Sequence, residues 1–128
     1  MPNVYIHVRR SYEPAQETMI MQAVQNALVK AFGVDPTDTN IVLMEHPAHR
    51  FLCPPDRDDA TRYTNITVIG HASRSIEAKR LFYLSVVENL ESVGIPRNCS
   101  LIQIHELPPE NIAIRGGQAM SDMQGLKA

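Results

Sequence analysis

A proline in the second position is the first residue of this chain whose chemistry stands out. The segment Met1-Pro2-Asn3 leads directly into an alternating stretch, and initiator methionine is normally trimmed before a small second residue. Removal of Met1 would give Pro2 a secondary amine, and burial beside arginines lowers the pKa of such an amine below its ordinary ~7.7–8.0. It would then act as a general base at neutral pH. The alternative is that Pro2 only opens an edge strand, where proline is tolerated.

Arg74 is a second candidate, because it directly precedes Ser75, a residue that favours a helix N-cap. A guanidinium in that place can bind a carboxylate through two hydrogen bonds, helped by the free amides of the helix N-terminus. The alternative is a solvated surface arginine.

A third candidate is a group of four residues, close together in the sequence, whose types bind zinc in proteins: His46, His49, Cys53 and Asp56. Pro47 interrupts the histidine pair, and no supporting pattern surrounds it. The sequence therefore predicts no metal site.

Hydrophobic periodicity predicts the elements that carry these residues in the first half of the chain. Val4, Ile6 and Val8 alternate with polar residues and predict a strand. A helix is predicted from Pro14 to a C-cap at Gly33. Its apolar rows are Ile20, Val24, Leu28 and Phe32, then Met19, Ala23, Ala27 and Ala31. A second strand is predicted from about Asn40 to His46.

The second half restarts the pattern after a long ordered loop from Pro47 to Arg62. Tyr63 to Gly70 is predicted to be a strand. Ser75 then caps a helix running to about Val93, ended by Gly94 and carrying Ile76, Leu84, Val87 and Leu90. Leu101 to Glu106 is the fourth predicted strand.

The two halves repeat each other, since Gly33 and Gly94 are as far apart in sequence as Pro47 and Pro108. Each half is a strand–helix–strand unit, which implies a parallel strand pair with a right-handed crossover. We predict an α/β (α+β) domain over 1–128, with a four-stranded mixed sheet and both helices on one face. The predicted repeats are 2–47 and 63–108, and 109–128 is a hairpin tail.

The other face of the predicted sheet also carries apolar side chains, among them Val42 and Met44. Two helices cover only one face, so the second face requires a partner and we predict an obligate oligomer.

Composition excludes several classes of function. The chain has 44% apolar and 20% charged residues and a net charge of −2, which is typical of a soluble globular protein without a nucleic-acid-binding patch. No apolar run is long enough to span a membrane, and no signal peptide is evident. Cys53 and Cys99 are predicted to be free thiols in a cytoplasmic protein.

The start at Met1-Pro2, the two related β-α-β units and the tail pattern Pro108-x-Glu110-Asn111-x4-Gly116-Gly117 together resemble the tautomerase superfamily. That superfamily includes 4-oxalocrotonate tautomerase and macrophage migration inhibitory factor. The length, the long middle loop and the segment from Ala31 to Asp38 are most similar to the branch of malonate semialdehyde decarboxylase and cis-3-chloroacrylic acid dehalogenase. The resemblance covers essentially the whole chain. It implies a homotrimer, no cofactor, and small 2-keto, enol or unsaturated carboxylates as substrates.

The resemblance also implies roles for individual residues. Pro2 is the catalytic acid or base, and Asp38 matches the acidic position that orients or activates water in the decarboxylase-like branch. Arg74 matches the substrate-binding arginine. His71 stands where dehalogenase-like members carry a second arginine, and it is expected to bind the substrate carboxylate or carbonyl. Arg115 is expected to line the pocket or to pair across the subunit interface.

These expectations amount to a tautomerase-like, isomerase-type enzyme with Pro2 as acid–base. Two alternatives stay open. One is a decarboxylase, hydratase or dehalogenase of a small 3-oxo or unsaturated acid. The other is a non-catalytic trimeric binding protein. Asp38 also suits a turn or cap before a strand.

Overall fold

The computed structural model describes residues 2–71 and 73–123. Within them lies a four-stranded mixed sheet in the order β2-β1-β3-β4. Its strands are β1 Asn3–Val8, β2 Ile41–Glu45, β3 Thr64–His71 and β4 Ser100–Leu107. Strands β1 and β2 are parallel, β3 and β4 are parallel, and β1 and β3 are antiparallel. The predicted fold class of two β-α-β units in one sheet is thus confirmed. The predicted removal of Met1 and the end of the tail lie outside the described residues.

The first helix, α1, spans Pro14–Phe32 and has the predicted proline at its start. The backbone N–H of Glu13 donates to Oε1 of Gln16 at 3.1 Å, which satisfies a donor ahead of the first turn. Gly33 ends the helix in the left-handed conformation, with φ 66°, a conformation that glycine adopts without a Cβ penalty. Both helix boundaries follow from local backbone chemistry.

The second helix, α2, spans Ile76–Glu91, and Ser75 caps it as predicted. The backbone N–H of Ala78 donates to Oγ of Ser75 at 3.1 Å. The helix ends two residues before the predicted Val93, because the amides of Val93 and Gly94 bond to carbonyls only three residues back. These bonds form a tighter turn than an α-helix.

The core lies between the helices and one face of the sheet. The alternating residues Val4, Ile6 and Val8 of β1 are completely buried there. The buried residues of α1 are Ile20, Ala23, Val24, Gln25, Ala27 and Leu28. Met19, which the sequence places on the buried face of α1, is 50% exposed.

The predicted buried face of α2 is wrong in part. Ile76 and Leu84 are 51% and 48% exposed, and Val87 is only partly buried. The helix instead buries Phe82, Val86 and Leu90, which are four residues apart and therefore share one face. Only Leu90 was in the predicted set.

The remaining segments are short. The loop after β2 contains two 3₁₀ turns, Ala48–Arg50 and Ala60–Arg62. The strands β5, Ala113–Ile114, and β6, Gln118–Ala119, form an antiparallel hairpin in the tail. Cys53 and Cys99 are free thiols. Neither of the two helices in the described part of the chain is long and apolar enough to cross a membrane.

Candidate active site

Pro2 is buried immediately before β1. Strand β1 runs antiparallel to β3, with Asn3 opposite Ile69. Continuing this register by one residue places Pro2 opposite Gly70, near the carboxyl end of β3. The start of one strand and the end of its neighbour therefore meet at one edge of the sheet.

Arg74 lies between β3 and α2, and its guanidinium packs against the end of α1. Nη1 donates to the carbonyl oxygen of Phe32 at 2.9 Å, and Cζ lies 4.8 Å from the centroid of the Phe32 ring. Nη2 is buried with no hydrogen-bond partner among the described residues. Burial lowers the pKa of Arg74 from its ordinary value, which still leaves a charged group at neutral pH. An anion beside Nη2 would satisfy this donor.

His71 is the last residue of β3, and its Nε2 is likewise buried and unpartnered within the described chain. Burial lowers the pKa of His71 below its ordinary 6.5, and the charge of Arg74 lowers it further. The imidazole is therefore neutral at neutral pH. A neutral imidazole has one N–H donor and one nitrogen acceptor to offer a ligand.

Pro2, His71 and Arg74 line one cavity, which encloses about 20 Å³ in the single chain. Its other lining residues are Phe32, Val68, Gly70, Ile104 and Glu106. Oε1 of Glu106 accepts a hydrogen bond from Nζ of Lys79 at 2.8 Å. The cavity combines an apolar wall with a guanidinium, a neutral imidazole and a paired carboxylate, which suits the binding of a small anion and acid–base chemistry.

Two of the residues expected in the site do not line this cavity. Asp38 is exposed in the turn before β2, where its backbone N–H donates to the carbonyl of Asp35 at 2.9 Å. Its own carbonyl accepts from Nε2 of Gln25 at 3.2 Å. Arg115 is exposed at the tip of the β5–β6 hairpin with φ 50°. The roles predicted for both residues stay predictions.

Sequence reasoning missed Phe32, Gly70 and Glu106 as residues of the cavity. Phe32 was predicted as a core residue, and Glu106 was predicted only as the end of the fourth strand. The strand register is the signal that finds Gly70 and Glu106. Gly70 pairs with Glu106 across β3 and β4, at the end of the strand that approaches Pro2.

The histidine and cysteine cluster has a different arrangement from a metal site. Nε2 of His46 is 2.8 Å from Nδ1 of His7, and the Sγ of Cys53 contacts the carbonyl of Ala60. Across residues 2–71 and 73–123, no group of three or more histidine, cysteine, aspartate or glutamate side chains is arranged to hold a metal ion.

Several known structures share this fold. The FG41 malonate semialdehyde decarboxylase inhibited by 3-bromopropiolate is 22% identical with a TM-score of 0.82, over 91% of each chain. A malonate semialdehyde decarboxylase studied in wild-type, mutant and inactivated forms is also 22% identical with a TM-score of 0.82, over 91% of this chain and 92% of its own. A fused 4-OT wild-type symmetric trimer is 17% identical with a TM-score of 0.81, over 92% of this chain and 95% of its own.

At these identities the likeness concerns the fold. No curated protein is similar enough in sequence to match the chain. A family model described as "Tautomerase enzyme" matches residues 38–115, more than half of the chain, in a range that includes His71, Arg74 and Glu106. With this match and the confirmed fold, the chain belongs to the tautomerase family.

Proposed function

We propose that this protein is a cofactor-independent, tautomerase-like enzyme that moves a proton on a small 2-keto or enol carboxylate. Pro2, freed by removal of Met1, is the acid–base group, and Arg74 binds the substrate carboxylate with help from His71. The observation that carries the proposal is that buried Pro2 lines the same cavity as Arg74, whose Nη2 is buried with no partner among the described residues. Membership of the tautomerase family supports it.

In the proposed reaction, the amine of Pro2 accepts the proton of the enol hydroxyl. It then returns a proton to the neighbouring carbon, so the enol becomes a ketone and the amine is regenerated. The guanidinium of Arg74 holds the carboxylate and stabilises the negative charge that develops on the enolate, which is usually the largest catalytic contribution. His71, neutral at neutral pH, donates a hydrogen bond to the substrate. Phe32, Val68 and Ile104 exclude water from the reacting atoms.

The proposal includes a homotrimer. The similar structures include fused 4-OT trimers, which supports this assembly. A neighbouring subunit would then contact the tail hairpin, and Arg115 at its tip would line the site or pair across the interface. Asp38 would orient or activate water only if the native reaction adds water or releases carbon dioxide.

Decarboxylation of a 3-oxo acid, or hydration of an unsaturated acid, is the second candidate. Two similar structures are malonate semialdehyde decarboxylases, and one is described in terms of decarboxylase and hydratase activities. Release of carbon dioxide from malonate semialdehyde by the wild type, and its loss in Pro2→Ala, would favour this candidate over tautomerisation.

The test is the rate of ketonisation of phenylenolpyruvate by wild type, Pro2→Ala and the control Pro36→Ala, whose proline lies in an exposed turn. Intact mass first establishes that Met1 is absent. We expect Pro2→Ala to lower kcat/KM by about 10²-fold or more, the usual contribution of a general acid or base, and Pro36→Ala to leave it unchanged. No rate above buffer in the mature wild type would contradict the proposal. It would leave a narrow lyase or a non-catalytic binding trimer.

A further inference from the structure

Three residues from neighbouring strands form one row across the edge of the sheet. Gly70 of β3 pairs with Glu106 of β4, and the β1–β3 register carries Pro2 to the other side of Gly70. Two residues further along, Val4, Val68 and Ile104 form the next row, and Val4 and Val68 are buried beneath the helices. Because side chains alternate along a strand, Pro2 and Glu106 face the same side of the sheet as this core row.

Gly70 leaves the middle of the row open. A Cβ placed on Gly70 would meet no atom within 4 Å among the described residues. Neighbouring strands lie about 4.8 Å apart, so the backbones of Pro2 and Glu106 are separated by roughly 10 Å, and Gly70 between them contributes no side chain. The carboxylate of Glu106 therefore lines the cavity on the side opposite Pro2.

The charges around this space are unevenly distributed. Lys79 of α2 is paired with Glu106 at 2.8 Å, with 20% and 31% of the two side chains exposed. Arg74 has no carboxylate partner in the described part of the chain, and its Nη2 is unpartnered. Among the described side chains of this cavity, Arg74 is thus the cation available for an anion, and the nearby Lys79 is already paired with Glu106.

We propose that the Lys79–Glu106 pair determines specificity by admitting a substrate with one carboxylate and rejecting one with two. The first carboxylate binds Arg74, which rests on the proposed function. A second carboxylate at the other end of a short substrate meets the carboxylate of Glu106, and the engaged Lys79 does not compensate it. The carboxylate of Glu106 and a second substrate carboxylate would repel each other strongly in this partly buried site.

The test compares the binding of trans-crotonate and fumarate, which differ only by a methyl group in place of a second carboxylate. Calorimetric titration of the mature protein measures Kd for each. We expect wild type to bind crotonate about tenfold more tightly than fumarate. Glu106→Gln should tighten fumarate binding by about tenfold, because Lys79 becomes free, and should change crotonate binding by no more than about twofold. Glu91→Gln is the control, since it breaks a comparable ion pair with Arg97 on the surface.

A second variant separates the charge of Lys79 from a general loosening of the site. Adding Lys79→Met to Glu106→Gln should remove the gain in fumarate binding. Equal Kd values for the two ligands in wild type, or an unchanged ratio in Glu106→Gln, would overturn the specificity role. Crotonate binding without ketonisation activity would contradict the proposed function and leave this inference standing. No binding of either ligand would overturn this inference, whereas the proposed function is decided separately by the ketonisation rate.

Discussion

Arg74 illustrates how one side chain combines a structural contact with an available donor. Its Nη1 bond to the carbonyl of Phe32 and its position over the Phe32 ring hold the guanidinium at the end of α1. Nη2 remains buried without a partner in the described part of the chain, at a cost of about 1–3 kcal/mol for a desolvated donor. A ligand carboxylate would recover that free energy. The contact with Phe32 fixes the donor direction in advance, which lowers the entropy cost of binding.

The pair of His7 and His46 on the open face of the sheet has its own pH dependence. Nδ1 of His7 lies 2.8 Å from Nε2 of His46, and the ring centroids are 5.0 Å apart. One nitrogen must donate and the other accept, so at least one imidazole of the pair is neutral. Arg50 lines the same cleft.

We expect the stability of the protein to fall as the pH drops below 6.5. Burial lowers the pKa of His7 from its ordinary 6.5, and the charge of His46 lowers it further. The unfolded chain therefore binds a proton more readily than the folded one. The stability contribution is complete above 6.5 and is lost as the pH falls toward the lower folded pKa. The check is Tm at about pH 7.5 and about pH 5.5 for wild type and His7→Gln, and the variant should lose less of its Tm on acidification.

The control for this titration is His105→Gln, which replaces an exposed histidine on the same sheet. It should keep the pH dependence of the wild type. A wild-type pH dependence in His7→Gln would show that other groups are responsible.

At the level of elements, the sequence predicted what local chemistry determines. The alternation in β1, the proline and glycine limits of α1 and the Ser75 cap all depend on neighbours within a few residues, and each is confirmed. The buried face of α2 was predicted wrongly because Leu81 and Leu84 are as apolar as the residues that are buried. Only the packing of α2 against α1 and the sheet selects Phe82, Val86 and Leu90.

This correction leads to a prediction about two residues of α2. Phe82 is completely buried and its ring lies 5.0 Å from that of Phe32, whereas Leu84 is 48% exposed. Phe82→Ala should lower the free energy of unfolding by about 3–5 kcal/mol, because it leaves a cavity in the core. Leu84→Ala should cost no more than about 0.5 kcal/mol, as at most surface positions. Urea unfolding of both variants measures the difference, and equal losses would contradict the helix orientation.

At the level of the whole molecule, residues 2–71 and 73–123 of a single chain leave one face of the sheet without a helix. Val42 and Leu101 on that face are 44% and 42% exposed. Asp38 and Arg115, which the resemblance places in the site, lie outside the cavity that Pro2 and Arg74 line. Periodicity in the sequence indicates that this face needs a partner, but it does not determine which residues of a neighbouring subunit approach the cavity. That geometry depends on contacts between chains, which no pattern along one chain encodes.

We expect a mature assembly of about 43 kDa, three times the chain mass of 14.3 kDa, in sedimentation equilibrium. Val42→Lys places a charge on the open face, where burial between subunits would remove it from water, so this variant should sediment as a monomer. Leu84→Lys changes a residue of similar exposure on α2, 48% against 44%, and should remain a trimer. If the trimer completes the site, Val42→Lys should also lose ketonisation activity while its far-ultraviolet circular dichroism is retained. A monomeric wild type, or dissociation by both substitutions alike, would contradict assembly through this face.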